Sequence, residues 1–155
     1  MSNDESSFKK EFRKALEEEY KSNLLIWTHT DSFRSGLPDI GAHMGGWYFP
    51  IEAKFISELP KRETTPVLKH ELSASQASFL EKVKITGGHP IILIGLSDIA
   101  LAIPFSKWPR LGDKPCNNIG LSALFSLHRN DNYTYPKIRG KWQVNRFFEK
   151  ILQHY

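Results

Sequence analysis

The chain has 155 residues, of which 40% are hydrophobic and 25% charged, with a formal net charge of +4; this suits one domain with a real core and excludes a disordered chain. A single cysteine, Cys116, excludes an internal disulfide and a thiolate zinc cluster. The opening Met1-Ser-Asn-Asp-Glu-Ser-Ser lacks the basic and apolar parts of a signal peptide, and the longest apolar run, Pro90 to Leu96, is too short for a membrane span, so the expectation is an intracellular, reducing location without membrane contact.

In chain order, residues 4–21 read as a first helix, because Phe8, Phe12, Ala15 and Leu16 recur at helical spacing. Leu24 to Thr30 reads as a strand, and Asp31 to Gly36 as a polar loop holding Arg34. Residues 38–55 read as a hairpin turning at Gly45-Gly46. Residues 56–72, charged and interrupted by Pro60 and Pro66, are long for a connection and form a candidate mobile or binding loop carrying Lys61 and Arg62. Ser73 to Thr86 is a second helix ended by Gly87-Gly88. Pro90 to Leu96 and Ile99 to Phe105 are strands. The tail then breaks up around Pro109, Pro115 and Gly120, and an amphipathic helix over about Gln143 to Gln153 closes the chain. The element order is α-β-β-β-α-β with additions, which predicts a mixed α/β sheet flanked by helices.

The chemistry concentrates at Gly36-Leu37-Pro38-Asp39, followed by Glu52-Ala53-Lys54. Side chains alternate along a strand, so Glu52 and Lys54 share a face while Ala53 joins Ile51 and Phe55 on the other. Charges at such positions suit a polar cleft and not a core. Asp39 lies six residues before Gly45 and Glu52 six residues after Gly46, so the hairpin places the two carboxylates on neighbouring strands at one height. Two hard oxygen ligands at one point suit Mg²⁺, with Mn²⁺ able to substitute. Read piece by piece, the same residues are a surface turn and a chance ion pair.

Two further residues have double readings. Glu5 falls within the apolar stripe of the first helix, yet Ser2-x-x-Glu5 also reads as a capping box; Glu11 and Glu19 are the other candidate acids. Gln76 shares a face with Leu80 and Val83, yet Ser73-x-x-Gln76 is also a capping box. The histidines at 29, 43, 70, 89, 128 and 154 have no metal-ligand spacing. No nucleophile elbow, Walker loop or dinucleotide fingerprint occurs, so no nucleotide cofactor is expected.

Pro38-Asp39 followed by Glu52-x-Lys54 resembles the signature of the PD-(D/E)xK nucleases. It is most similar to the Holliday-junction-resolvase-like and virus-type replication-repair branch, which has the order Glu-helix, Gly-x-Pro-Asp, Glu-x-Lys, Gln-helix. The resemblance covers about Glu5 to Leu96. It implies a restriction-endonuclease-like core, assigned to residues 1–105, with a C-terminal extension at 106–155 packed on the same domain. It also implies Mg²⁺-dependent hydrolysis of DNA phosphodiester bonds, leaving 5′-phosphate and 3′-hydroxyl ends, and selectivity for branched DNA. In that scheme Asp39, Glu52, the Ala53 carbonyl and Glu5 hold metal, Lys54 stabilises charge and positions water, and Gln76 approaches the site. Paired incisions at a branch would use a homodimer. The other readings are a general nickase, a restriction-type or repair nuclease, and a DNA-binding module on a nuclease fold that lacks activity.

Charge is uneven along the chain. Residues 105–155 hold nine Lys or Arg against three Asp or Glu, whereas residues 1–104 hold 12 against 14. The tail mixes these bases with Trp108, Tyr133, Tyr135, Trp142, Phe147 and Phe148. Such a mixture reads either as a nucleic-acid surface, with Arg139, Lys141 and Arg146 for phosphates and rings for bases, or as a solvated face over a separate aromatic core.

Overall fold

The computed structural model describes residues 4–29 and 36–155, so Ser2 and Arg34 lie outside the described residues. Helix α1 (Glu5–Tyr20) is capped by Asp4, whose side chain accepts the Ser7 N–H at 2.7 Å. Glu5 is therefore the first helical residue and not the third, and the capping-box reading of Glu5 gives way. Helix α1 buries Phe8, Phe12, Leu16 and Tyr20, spaced four apart along one stripe.

Strand β1 (Leu24–Thr28) pairs with β2 (Ile40–Met44), which turns back through Gly45-Gly46 into β3 (Trp47–Ile56). Helix α2 (Ala74–Ile85) then crosses to β4 (Ile91–Leu96), which runs parallel to β3 and leads into antiparallel β5 (Ile99–Pro104). This is the α-β-β-β-α-β order that the sequence predicts, built on a mixed α/β sheet. The chain continues with a small hairpin of β6 (Arg110–Leu111) and β7 (Lys114–Pro115), helix α3 (Leu121–His128), β8 (Thr134–Ile138), β9 (Lys141–Trp142) and helix α4 (Phe147–Leu152). Strands β8 and β9 extend the main sheet to seven strands, in the order β1-β2-β3-β4-β5-β8-β9.

Both sheet faces are covered, which is why β4 is apolar at successive positions. Ile91 and Leu93 join the core under α1 and α4, while Ile92 and Ile94 join the core under α2 and α3. The second half of the connection between β3 and α2 also belongs to that second core. Val67, Leu68 and Leu72 are buried, and the Val67 and Leu72 N–H groups donate to the Ile119 and Asn117 carbonyls at 2.9 and 2.8 Å. Asn118 bonds both backbone groups of Leu68. The segment expected to be a mobile loop is thus tied down along half its length by the C-terminal third.

Two expectations for the tail change. The closing helix is shorter than residues 143–153, because Arg146 takes a left-handed backbone (φ 59°) that a continuous helix does not admit. The aromatic residues of the tail are core, not a stacking surface: Trp108, Tyr133, Tyr135, Trp142, Phe147 and Phe148 are all buried. The apolar face of α4 packs on its own chain, with the Phe147 ring 5.5 Å from Phe12 and the Phe148 ring 4.5 Å from Phe49. Among the described residues, no helix is long and apolar enough to cross a membrane.

Candidate active site

Strand β3 outruns its partner. Pairing with β2 ends at Ile40 opposite Ile51, whereas β3 continues to Ile56. The Ala53 N–H therefore has no ladder partner on that edge, and the Asp39 carboxylate supplies one, with Oδ2 accepting it at 2.9 Å. Because N–H and C=O of a strand residue point to the same edge, the Ala53 carbonyl is directed toward this side as well. The register that pairs Ile40 with Ile51 sets Asp39 level with Glu52.

Gly36 places the loop that delivers Asp39. Its φ of +88° is in the left-handed region, and an added Cβ would lie 2.7 Å from the Ser75 carbonyl oxygen. The Gly-Leu-Pro-Asp turn thus sits directly on the first turn of α2. That helix carries Gln76, and both readings of Gln76 hold at once. Its Oε1 accepts the Ser73 N–H at 2.9 Å, closing the capping box, while its Nε2 donates to Glu52 Oε1 at 3.0 Å. One amide thereby ties the helix start to the carboxylate.

Glu52 is only 2% exposed, and its Oε2 is buried without a hydrogen-bond partner. Burial, and then the neighbouring Asp39 charge, push its pKa up to about 8, against a smaller opposing effect of Lys54. The Lys54 ammonium stands 3.6 Å from Glu52 Oε1 and 3.5 Å from the Glu71 carbonyl oxygen. A depression of about 250 Å³ opens beside Lys54, with Glu5, Lys69 and His70 on its walls.

Lys9 is a member of the site that the sequence reading misses. Its Nζ lies 3.2 Å from Asp39 Oδ1 and 3.9 Å from Glu5. The helical i, i+4 spacing from Glu5 is the signal that could have raised it. Glu5 stands nearest of the three candidate acids, joined to Asp39 through Lys9. Glu11 is paired with Lys137 at 2.9 Å, and Glu19 lines a depression shared with Lys141. Lys61 and Arg62 are exposed on the turn after β3. Arg139, Lys141 and Arg146 belong to the opposite end of the sheet, around β9.

The donor set suits a divalent cation. No group of three His, Cys, Asp or Glu side chains stands ready-made among the described residues. Yet Asp39 and Glu52 are adjacent hard oxygen donors, close enough that the Asp39 charge raises the Glu52 pKa, and a cation between them would favour both as carboxylates. One or two carboxylates with the remainder supplied by water and phosphate is the usual protein share of a Mg²⁺ site.

No protein-family model matches the sequence, and no curated protein matches it. Among solved structures, the chain is similar to Hjc, a Holliday junction resolvase of the archaeal hyperthermophile Archaeoglobus fulgidus, at 23% identity and a TM-score of 0.49, covering 74% of this chain and 88% of that one. It is also similar to a restriction endonuclease in complex with substrate DNA, at 12% identity and a TM-score of 0.33, covering 90% of this chain and 74% of that one. The functional reading rests on the element order and on the meeting of Asp39, Glu52, Lys54 and Gln76.

Proposed function

We propose that the protein is a divalent-metal-dependent endodeoxyribonuclease that selects branched DNA of the Holliday-junction kind and acts as a homodimer. The observation that carries this reading is the buried Glu52 carboxylate beside Asp39, with one oxygen held by Gln76, the other unpartnered, and Lys54 on the same strand face. Two neighbouring carboxyl groups with one of them in the sheet interior are costly as ions unless a cation joins them.

Asp39 and Glu52, helped by the Ala53 carbonyl and by Glu5, would hold Mg²⁺, with Mn²⁺ as a substitute. Bound there, the metal supplies Lewis-acid polarisation of a phosphoryl oxygen and a more acidic water. Gln76 fixes Glu52 through Oε1 and so keeps Oε2 free to ligate. Lys54, held by the Glu71 carbonyl and Glu52, presents its ammonium to the attacking water and to the charge that builds on the phosphorus oxygens. Lys9 balances the Asp39 charge and steadies its orientation. Glu52 ligates as the carboxylate, so metal loading releases a proton and strengthens as pH rises toward 8.

The test is a panel of equal-length linear, nicked, flap, single-stranded and four-way DNAs, incubated with Mg²⁺ or with EDTA. Cleavage is expected only with metal and fastest on the four-way DNA. Asp39→Asn, Glu52→Gln and Lys54→Ala should each lose about a hundredfold or more in rate while the fold is kept. Near-wild-type cleavage by Asp39→Asn would overturn the site assignment. Equal cutting of linear duplex by a monomer would remove the junction preference and leave the chemistry.

A further inference from the structure

A second feature adjoins the site on the shoulder of α1 that faces β1. A groove of about 550 Å³ runs there, lined by Lys9, Lys10, Arg13 and Lys14 on the helix and by Thr28 and Ile40 on the strands. Ser6, Lys9, Lys10, Arg13, Lys14 and Glu17 recur at intervals of three and four, so the groove follows one face of the helix. Among its described lining residues Glu17 is the sole acid, and it is committed to Arg13, whose Nε donates to its Oε1 at 2.9 Å. The Arg13 guanidinium also donates to the Ile26 carbonyl at 3.2 Å and to the Thr28 hydroxyl, which fixes this cation in the groove wall.

Lys9 and Arg13 already have acidic partners, Asp39 with Glu5 for the first and Glu17 for the second. Lys10 and Lys14 are like charges one turn apart, a spacing that presents two cations side by side to an anionic ligand. Lys10 and Lys14 are exposed. One end of the groove is the site itself, since Ile40 follows Asp39 and Lys9 touches the Asp39 carboxylate. The basic residues of the tail are differently placed: Lys141 opens on a depression walled by Glu11, Glu18 and Glu19, and Lys14 borders both that depression and the groove.

We propose that this groove between α1 and β1 is the track of the DNA backbone leading away from the scissile phosphate, with Lys10 and Lys14 neutralising phosphates and Arg13 a fixed guide. The proposal rests on the nuclease reading above. It makes the α1 shoulder the main electrostatic contact, ahead of Arg139, Lys141 and Arg146.

The experiment measures fluorescence anisotropy of a fluorescein-labelled four-way DNA, and of a linear duplex, in metal-free buffer over a range of salt concentrations. The double variant Lys10→Ala/Lys14→Ala is compared with the triple variant Arg139→Ala/Lys141→Ala/Arg146→Ala and with wild type. The double variant should bind at least tenfold more weakly at low salt, and its slope of log affinity against log salt should fall by about two, close to one per lost phosphate contact. Its Mn²⁺ affinity by calorimetry and its melting temperature should match wild type, because neither residue touches the carboxylates. An unchanged slope in the double variant, with the slope falling only in the triple variant, overturns the groove while the nuclease reading stands. A wild-type protein that neither binds nor cuts any of these DNAs overturns the nuclease reading, and the groove with it.

Discussion

Glu52 keeps a proton in the metal-free fold that it would lose in the unfolded chain. Burial first, and Asp39 second, raise its pKa from the ordinary 4.5 to about 8. Between those two values the folded state binds more protons than the unfolded state, so this group's contribution to stability is present below about pH 4.5 and is lost as pH rises through 8. In EDTA, the melting temperature of wild type should therefore fall relative to that of Glu52→Gln as pH goes from 5 to 8. Added Mg²⁺ should reverse the fall in wild type and do little in the variant. Parallel melting curves for the two proteins across that range would remove the buried-carboxylate account. At this same scale the sequence yields Asp39, Glu52 and Lys54, because strand alternation and a symmetric hairpin need no tertiary information. It does not yield Lys9, whose contact with Asp39 depends on where α1 lies over the edge of β3.

The elements that assemble the site are the Gly36 turn, the overhanging end of β3 and the start of α2. Gly36 has both a left-handed backbone and no room for a Cβ against Ser75. Gly36→Ala should cost roughly 1–3 kcal/mol of stability through strain and displacement. It should also slow cleavage by about ten- to a hundredfold, since moving Asp39 relative to Glu52 by a fraction of an ångström misplaces the ligands. Gly46→Ala is the matched control: its φ is +86° but nothing lies within 4 Å of an added Cβ. It should lose comparable backbone stability and keep its activity, as read by urea denaturation and a cleavage assay on the same preparations. Equal activity loss in both variants would mean that general destabilisation explains the effect. The helix start shows how local and tertiary roles combine. The capping-box spacing of Ser73 and Gln76 is legible in the sequence, but the amide of Gln76 has a second end, and only the packing of α2 on the sheet brings that end to Glu52.

Over the whole molecule, the last third of the chain is part of the structure that carries the site. Strands β8 and β9 complete the sheet, and α4 closes the core beneath α1. Tyr20 at the end of α1 donates to Glu149 at 2.8 Å and accepts the Phe148 N–H at 2.9 Å, so both ends of the chain are tied together. Phe147 is fully buried between Phe12 and Tyr135. Phe147→Ala should cost about 3–5 kcal/mol in urea denaturation. A variant that instead kept full stability and changed only its sedimentation would make α4 a contact between copies of the chain. A homodimer must use a different face from the one that α4 spends on its own core.

Periodicity and spacing alone determined the α-β-β-β-α-β order, the Gly45-Gly46 hairpin and the level meeting of Asp39 with Glu52, since each is a short-range consequence of chain geometry. The tail was harder to read. Strands β6, β7 and β9 have two residues each, too few to show a period, and α3 and β8 lie among turn-forming residues such as Gly120, Asn130, Asn132 and Pro136; all of them cover the sheet edge and core. Whether rings such as Trp142 and Phe148 meet solvent or core is likewise not written in composition. Only the tertiary structure decided that they are interior, that Lys9 joins the carboxylates, and that the bases of α1 line a groove ending at Asp39. Those outcomes depend on which faces of distant elements meet, and the burial of apolar surface over the whole fold selects that meeting.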